Sequence, residues 1–124
     1  MPNIVILSVG YDPLLSNTRG RVLGTGGYTV VPAVSLQLAV SEFLQRDFDL
    51  VILCHSIPIG DRECLAYLFR ERSPNIPIVF VSSGFGEQDP SADATIMNDP
   101  NLLLLGVNEV LKRNMKGFKI RASG

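Results

Sequence analysis

The sequence has few of the residues that most often build metal, redox and disulfide sites. It contains two cysteines, Cys54 and Cys64, a single histidine and no tryptophan. The two cysteines are too few and too far apart for a disulfide framework or a Cys-x-x-Cys motif. One histidine leaves a zinc site short of ligands. We therefore predict neither a bound metal nor a cofactor, and we expect a reducing compartment.

Charge of one sign is also lacking, because 11 lysines and arginines balance 12 aspartates and glutamates to a net charge of −1. This balance gives no global attraction to nucleic acid or to acidic membranes. No apolar run approaches the roughly 18–20 residues that a membrane helix requires. No basic segment precedes the first apolar run, as a secretory signal would require. We expect a cytoplasmic protein with no membrane partner and no direct nucleic-acid partner.

The chain is rich in core-forming residues, which alternate between strand and helix patterns. Hydrophobic residues make up 46% of its 124 residues, enough for one domain with a sizeable core. Short apolar runs predict strands at 3–9, 28–31, 50–54, 76–81 and 94–97. Helical spacings predict helices at about 13–25, 36–46, 61–72 and from 100 onward. This alternation predicts an α/β fold with a doubly wound, flavodoxin-like, five-stranded parallel sheet in the order 2-1-3-4-5.

Capping residues and apolar spacings predict where each helix begins and which face it buries. The predicted N-caps are Asp12, Ser35, Asp61 and Asp99. The predicted buried stripes are Leu14, Leu15, Thr18, Val22 and Leu23 on the first helix, Leu36, Ala39, Val40, Phe43 and Leu44 on the second, Leu65, Leu68 and Phe69 on the third, and Leu102, Leu103, Val107, Val110 and Leu111 on the last.

The run 50–54 is typical of a strand that is buried on both faces. In an open α/β sheet, ligands usually bind at the carboxyl ends of such strands, where Cys54 and His55 stand. One hypothesis is therefore a thiol-based sensor or small enzyme centred on Cys54, because a nearby base or cation activates a thiol. Adjacent strand residues point to opposite faces, which disfavours His55 as that base and favours a buried, structural thiol. Cys64, within a helix, is expected to serve packing alone.

Several segments, in order and at nearly the right spacing, resemble the receiver domain of two-component response regulators. They are residues 12–15 (DPLL), 27–31 (GYTVV), 48–53 (FDLVIL), 58–60 (PIG), 76–82 (IPIVFVS) and 92–94 (ADA). No single segment is specific, but together they span nearly the whole chain. The resemblance implies the receiver fold and a role in bacterial two-component (phosphorelay) signal transduction.

The resemblance also identifies what is missing from the receiver's reactive pocket. The position of the phosphoacceptor aspartate holds Cys54, and the acidic pair that binds magnesium maps to Gly10 and Tyr11. The lysine that contacts the phosphoryl group maps to Asn98, and only the hydroxyl position is kept, as Ser82. Magnesium requires oxygen ligands, usually including carboxylates, and a thiolate suits it poorly.

One carboxylate, Asp12, stands next to these positions, and a slip of one residue in the loop would turn it inward. A single carboxylate without an acceptor or a lysine does not make a phosphoryl-transfer site. We therefore interpret the chain as a degenerate receiver, not an enzyme, that is not phosphorylated at the usual position. The ring of Tyr11 is expected to fill the emptied pocket, and a hydroxyl that binds a partner is the alternative.

The connection from Ser82 to Ala92 is several residues shorter than receivers usually have, and it shows no helical period. The resemblance therefore implies that the fourth helix is shortened or absent. A loop containing Phe85 would then replace part of the surface that receivers use for dimerisation and output, so the docking mode of the family does not transfer directly.

We divide the chain into a receiver-like domain, residues 1–114, and a basic C-terminal tail, residues 115–124. The last segment carries Lys112, Arg113, Lys116, Lys119 and Arg121, with no acidic residue after Glu109. A solvated, partly frayed terminus is the default expectation. A weak anchor for an acidic partner and the start of a linker are the alternatives.

The leading functional hypothesis is a receiver-like signalling module that acts through protein–protein contacts, with a homodimer as an open alternative. The thiol-based function at Cys54 is the second hypothesis. The third is a small-molecule site between strands one and three, at the switch point where losing the charges leaves a less polar cleft.

Overall fold

A computed structural model of the chain describes residues 3–84 and 87–123, and for residues 115–123 it describes the backbone alone. The strands are β1 (Val5–Val9), β2 (Thr29–Ala33), β3 (Leu50–Cys54), β4 (Ile78–Ser82) and β5 (Ala94–Met97). The helices are α1 (Pro13–Thr25), α2 (Leu36–Gln45), α3 (Ile59–Arg72) and α4 (Pro100–Ser123).

The five strands form one parallel sheet in the order β2-β1-β3-β4-β5, which confirms the predicted flavodoxin-like topology. β3 is central, and every one of its residues is buried. The sequence prediction ended β2 before Pro32, but the strand runs through that residue to Ala33. Proline is tolerated there because β2 is an edge strand, where a missing N–H breaks no ladder between neighbours.

Two apolar layers cover the sheet, one on each face. On one face α2 and α3 pack through a cluster that includes Phe43 and Phe69, whose rings stack with centroids 4.2 Å apart. On the other face α1 and α4 pack through a cluster that includes Leu23 and Val107. Because residues of β3 alternate between the two clusters, this strand anchors both layers.

The buried face of α1 differs from the predicted stripe. Leu14 is 79% exposed and Thr18 is exposed, whereas the helix buries Ser16, Arg19 and Leu23. These three residues follow the i, i+3, i+7 spacing of one helical face, but two of them are polar. Apolar spacing therefore pointed to a face rotated away from the true one. Of the predicted stripe, Leu23 is buried and Leu15 and Val22 are half-buried.

Helices α3 and α4 bury most of their predicted residues, and α2 buries Ala39 and Phe43 while Leu36 and Val40 are half-buried. On each of these helices one of the predicted leucines is exposed. These leucines are Leu44 on α2, Leu68 on α3 and Leu102 on α4. Ala66 was not predicted and is buried in the α3 face. Cys64 is exposed, so the prediction that it serves packing is wrong.

Three of the four predicted N-caps are confirmed. The Asp12 carboxylate accepts hydrogen bonds from the backbone N–H groups of Leu14 at 3.0 Å and Leu15 at 3.4 Å. Ser35 and Asp99 cap α2 and α4 in the same way. Asp61 is not a cap, because α3 begins two residues earlier, directly after Pro58.

The connection between β4 and β5 contains no helix among its described residues, 83–84 and 87–93, in agreement with the prediction that the fourth helix is shortened or absent. Two arginines of α3 hold this connection. Arg70 donates to the Ser91 carbonyl and pairs with Asp93 at 3.1 Å. Arg62 lies 3.6 Å from the buried Asp89 carboxylate, with its guanidinium 4.3 Å from the centroid of the Phe80 ring. Phe85, predicted in this loop, lies outside the described residues.

The last helix continues to Ser123, so the backbone of the predicted tail is helical where we expected a partly frayed terminus. The side chains of Lys116, Lys119 and Arg121 lie outside the described residues. The domain boundary at residue 114 stays a prediction. In the part of the chain that the structure describes, no helix is long and apolar enough to cross a membrane.

Candidate functional site

The parallel register brings the candidate residues to one edge of the sheet. Gly10 directly follows β1, and its N–H donates to the Ala33 carbonyl at the end of β2. Cys54 ends β3 and is paired in register with Val81 of β4. Parallel strands place their carboxyl ends together, so these residues lie at the edge of the sheet where open α/β folds usually bind ligands.

Ser82 and Asn98 complete this edge at the ends of β4 and β5. Ser82 is buried, and its hydroxyl donates to the Gly84 carbonyl at 3.2 Å. The Asn98 backbone N–H donates to the Ser82 carbonyl at 2.9 Å, which fixes the loop that leads into α4. The Ser82 hydroxyl is thus engaged within the β4–β5 connection.

A residue that the sequence did not suggest, Arg19 of α1, places its guanidinium among these positions. The side chain runs from the buried face of α1 to the end of the sheet, and the residue is only 2% exposed. Its Nη2 donates to Cys54 Sγ at 3.2 Å and to Asn98 Oδ1 at 3.4 Å. A fixed positive charge therefore stands beside Cys54, the position to which the resemblance assigns the acceptor carboxylate.

Gly10 is packed closely against this arginine, so a side chain at position 10 would be crowded. A Cβ atom at Gly10 would lie 3.1 Å from Cys54 Cβ and 3.4 Å from Arg19 Nη1. The first of these distances is shorter than ordinary van der Waals contact. Glycine at position 10 therefore allows the backbone to approach the Arg19 guanidinium. The resemblance expects an acidic side chain at this position.

Asp12, the carboxylate that a slip of one residue would turn inward, does not face this edge of the sheet. Asp12 is oriented toward the first turn of α1 by its capping hydrogen bonds, so the proposed inward slip of the loop does not occur. Within the described residues, no group of three or more His, Cys, Asp and Glu side chains could hold a metal ion. Ser82 and Asn98 contribute a hydroxyl and an amide at this edge, whereas the carboxylates of Asp61 and Glu87 accept hydrogen bonds from Tyr11 and Ser83.

Tyr11 does not fill the space beside Cys54, contrary to the expectation from sequence. It is half-buried against the layer formed by α2 and α3, and its hydroxyl donates to Asp61 Oδ2 at 3.0 Å. Its backbone N–H donates to Ser56 Oγ at 3.0 Å. The ring therefore ties the β1–α1 loop to α3, and the space beside Cys54 is occupied by Arg19 from the opposite face.

The environment of Tyr11 favours the neutral phenol. Desolvation by burial, together with the hydrogen bond to Asp61 and the charge of that carboxylate, raises the pKa of Tyr11 to about 12. The phenol keeps its proton well into the alkaline range, so its hydrogen bond to Asp61 is maintained throughout the neutral pH range.

This raised pKa predicts an alkaline loss of stability that depends on Tyr11. The pKa of the unfolded tyrosine is about 10, so between pH 10 and about 12 the folded state holds a proton that the unfolded state has released. The free energy of unfolding therefore falls across this interval. We expect Tyr11→Phe to lose less stability than the wild type between pH 10 and 12 in urea titrations. Equal losses in both proteins would contradict the assignment.

Arg19 was not identified from the sequence, and its position on α1 explains why. Arg19 lies at i+3 from Ser16 and at i−4 from Leu23, so its side chain shares the face that α1 buries. Charged residues are usually expected on the solvent face of a helix. The buried face of α1 was therefore predicted from apolar spacing, which selected Leu14 and Thr18. The missed signal was the small residue Gly10, which leaves space for a long side chain arriving from α1.

No family model matches the sequence, and no curated protein matches it. Solved structures do match. A CheY-like response regulator receiver domain protein from Methanospirillum hungatei JF-1 superposes with a TM-score of 0.82 at 21% identity, covering 94% of this chain and 99% of that one. The response regulator TrrA from Thermotoga maritima, solved in complex with Mg(2+)-BeF, gives 0.74 at 21% identity, covering 90% and 98%.

A third match shows the same fold within a longer protein. NtrX from Brucella abortus superposes with a TM-score of 0.86 at 17% identity, covering 99% of this chain but 30% of NtrX. At these identities the likeness establishes the fold and leaves the activity to be argued from the site. This chain therefore has the flavodoxin-like fold of the CheY-like response regulator receiver domains.

Proposed function

We propose that this domain is a receiver-like signalling module of two-component (phosphorelay) systems that is not phosphorylated at the usual position and acts through protein–protein contacts. The observation that carries the proposal is the buried Arg19 guanidinium beside Cys54. It places a permanent positive charge at the end of β3, where the residue is Cys54 and not a carboxylate that could accept a phosphoryl group.

Phosphoryl transfer to a receiver requires a nucleophilic carboxylate, a metal that neutralises the phosphoryl oxygens and a positioned cation. This site offers a thiol in place of the carboxylate, and Asp12, the adjacent acid, is engaged as a helix cap. The one cation, Arg19, already donates to Cys54 and Asn98. The first two requirements thus have no candidate residue at this edge, and for that reason we propose that the domain is not an enzyme.

Protein contacts are the remaining means of signalling for such a scaffold. Several large apolar side chains are exposed on its helices, including Ile59 and Tyr67 on α3 and Leu102 and Leu105 on α4. Leu102 and Leu105 are three residues apart and share one face of α4. Exposed apolar groups on a common face are typical of protein interaction surfaces. We propose a protein partner, with a homodimer as one form that such a contact could take.

The geometry gives no support to a thiol enzyme at Cys54 or to a small-molecule site between β1 and β3. A thiol enzyme must admit its substrate to the sulfur, yet Cys54 is fully buried. A small-molecule site between β1 and β3 needs an open cleft, yet Gly10 packs against Cys54 and Arg19 there. These contacts favour a closed scaffold over either kind of site.

The proposal predicts that phosphodonors leave the protein unmodified. The purified chain is incubated with magnesium and acetyl phosphate and followed by intact mass spectrometry, beside a receiver domain that is phosphorylated under the same conditions. We expect no phosphoryl adduct on this chain. A Cys54→Ser variant serves as the matched control for transfer to sulfur. A stable phosphoryl adduct on wild-type protein, whether or not Cys54→Ser abolishes it, would contradict the proposal.

A further inference from the structure

Arg19 lacks an anionic partner, although it is almost completely buried. Its two hydrogen-bond acceptors, Cys54 Sγ and Asn98 Oδ1, share a single nitrogen, Nη2. Its Nε and Nη1 atoms are buried and have no hydrogen-bond partner among the described residues. A guanidinium carries five N–H donors, and a buried positive charge with unused donors is unfavourable unless an anion compensates it.

Of the groups in contact with this guanidinium, the sulfur of Cys54 is the one that can be converted into an oxyanion. Asn98 presents an amide, which does not ionise, and Asp12 is turned toward the first turn of α1. Sulfur is oxidised stepwise by peroxides, first to a sulfenic and then to a sulfinic acid. A sulfinate carries two oxygens and a negative charge, and so resembles the carboxylate that an arginine fork normally binds.

Glycine at position 10 places no side chain between Cys54, Arg19 and Ser56, although these groups lie close together. A Cβ atom placed on Gly10 would lie 3.1 Å from Cys54 Cβ, 3.4 Å from Arg19 Nη1 and 3.6 Å from Ser56 Oγ. An oxygen atom bound to Cys54 Sγ and directed toward Gly10 would approach the unused Nη1 donor and the Ser56 hydroxyl. One of the donors that lack a partner, Arg19 Nη1, therefore lies on the side of Cys54 that Gly10 leaves without a side chain.

We propose that Cys54 is an oxidative modification site, whose sulfinate becomes the buried counter-ion of Arg19. In the first step an oxygen of hydrogen peroxide bonds to sulfur, the O–O bond breaks, and the thiol becomes a sulfenic acid with release of one water. A second peroxide adds another oxygen in the same way and releases a second water, and the sulfinic acid loses its proton to solvent. Each step oxidises sulfur by two electrons and reduces one peroxide. This site does not depend on the proposed signalling function.

The expected consequence is unusual, because oxidation of a buried cysteine normally disrupts packing. Here it converts an uncompensated guanidinium into an ion pair, so the oxidised domain is more stable than the reduced one. Since Cys54 is buried, peroxide reaches the sulfur only when the domain opens locally, and the reaction is slow compared with that of an exposed thiol. The site would therefore respond to prolonged oxidant exposure.

The test uses a Cys64→Ser background, because Cys64 is exposed and reacts independently. The protein is incubated with hydrogen peroxide, the Cys54 peptide is mapped by mass spectrometry, and thermal unfolding is compared before and after. We expect two added oxygens on Cys54 and a midpoint that rises by about 3 °C or more. In an Arg19→Met, Cys64→Ser variant the same modification should lower the midpoint, because the sulfinate then lacks its partner.

A Cys54→Ser, Cys64→Ser protein treated in parallel measures the effect of methionine oxidation, which is subtracted. If the Arg19→Met variant fails to fold, side-chain NMR of Arg19 in the Cys64→Ser protein replaces it. The Nε–H resonance should then move downfield on oxidation. An oxidised form that melts at or below the reduced form would overturn the proposal. So would a Cys54 that stays unmodified under conditions that fully oxidise it in urea and oxidise the half-buried Met97 in the folded protein. None of these results bears on whether the domain accepts a phosphoryl group.

Discussion

Replacing Arg19 with methionine is expected to raise the free energy of unfolding of the reduced protein by about 1–3 kcal/mol. The substitution keeps a long, flexible side chain in the layer between α1 and the sheet but removes a buried charge that has no anionic partner. Apolar replacement of buried charged groups is often neutral or stabilising by about 1–4 kcal/mol. The substitution also removes the hydrogen bonds to Cys54 and Asn98. Their loss costs little free energy, because both acceptors are neutral and lie 3.2 and 3.4 Å away.

Urea unfolding of the two proteins measures this difference directly, with Arg21→Met as the matched control. Arg21 lies two residues further along α1 and is exposed, so its replacement removes the same charge from the surface. We expect that control to change stability by less than about 0.5 kcal/mol. If Arg19→Met lowers the free energy of unfolding by more than about 1 kcal/mol and the control is unchanged, the guanidinium has a stabilising partner, which would contradict the prediction.

The second large effect concerns Cys54→Asp, whose effect on stability is expected to depend on whether Arg19 is present. In the wild-type background the new carboxylate lies beside the guanidinium and forms a buried ion pair, so we expect a stability change of less than about 1.5 kcal/mol. In the Arg19→Met background the same carboxylate is buried without a cation. Its introduction should then cost about 3–5 kcal/mol, as is typical of uncompensated buried charges.

The double-mutant cycle over positions 19 and 54 therefore predicts a favourable coupling of at least about 1.5 kcal/mol between Arg19 and Asp introduced at 54. Urea unfolding of the wild type, both single variants and the double variant at neutral pH provides the four values. Cys64→Asp in both backgrounds is the control, because position 64 is exposed and should show no coupling. A coupling near zero at positions 19 and 54 would mean that the guanidinium does not face the end of β3.

The fold was predictable because its signals are local and agree with one another. The apolar run 50–54 coincides with β3, and 94–97 with β5, since buried parallel strands leave little ambiguity in sequence. The caps at Asp12, Ser35 and Asp99 lie immediately before their helices. Local signals also predicted that no helix stands between β4 and β5, as is seen in the described residues 83–84 and 87–93, because this connection has no helical period.

The site was less predictable, since its main contact joins residues 35 positions apart. The sequence identified Cys54, Gly10, Ser82 and Asn98 through the resemblance, but it gave no reason to direct Arg19 toward them. Hydrophobic spacing cannot reveal a buried charge, because it counts apolar side chains and assigns charged ones to solvent. The structure supplies the missing step by showing which face α1 buries.

The predictions for Tyr11 and Asp61 were wrong for a related reason. Each was assigned a role from its own neighbours: a ring for the emptied pocket and a cap for the following helix. In the structure they bond to each other across 50 positions, at 3.0 Å. Once a side chain has a partner on another element, local propensity no longer determines its position. The two errors are thus one unpredicted tertiary contact.

The central claim is that Arg19 closes this edge of the sheet to magnesium and to phosphoryl groups. Two-dimensional ¹H–¹⁵N NMR during a titration with magnesium and beryllofluoride tests it most directly, because the backbone amides of Gly10, Cys54, His55 and Asn98 surround the position in question. If Arg19 closes the edge, these resonances stay unchanged up to millimolar concentrations of both. Saturable shifts centred on these amides would contradict it.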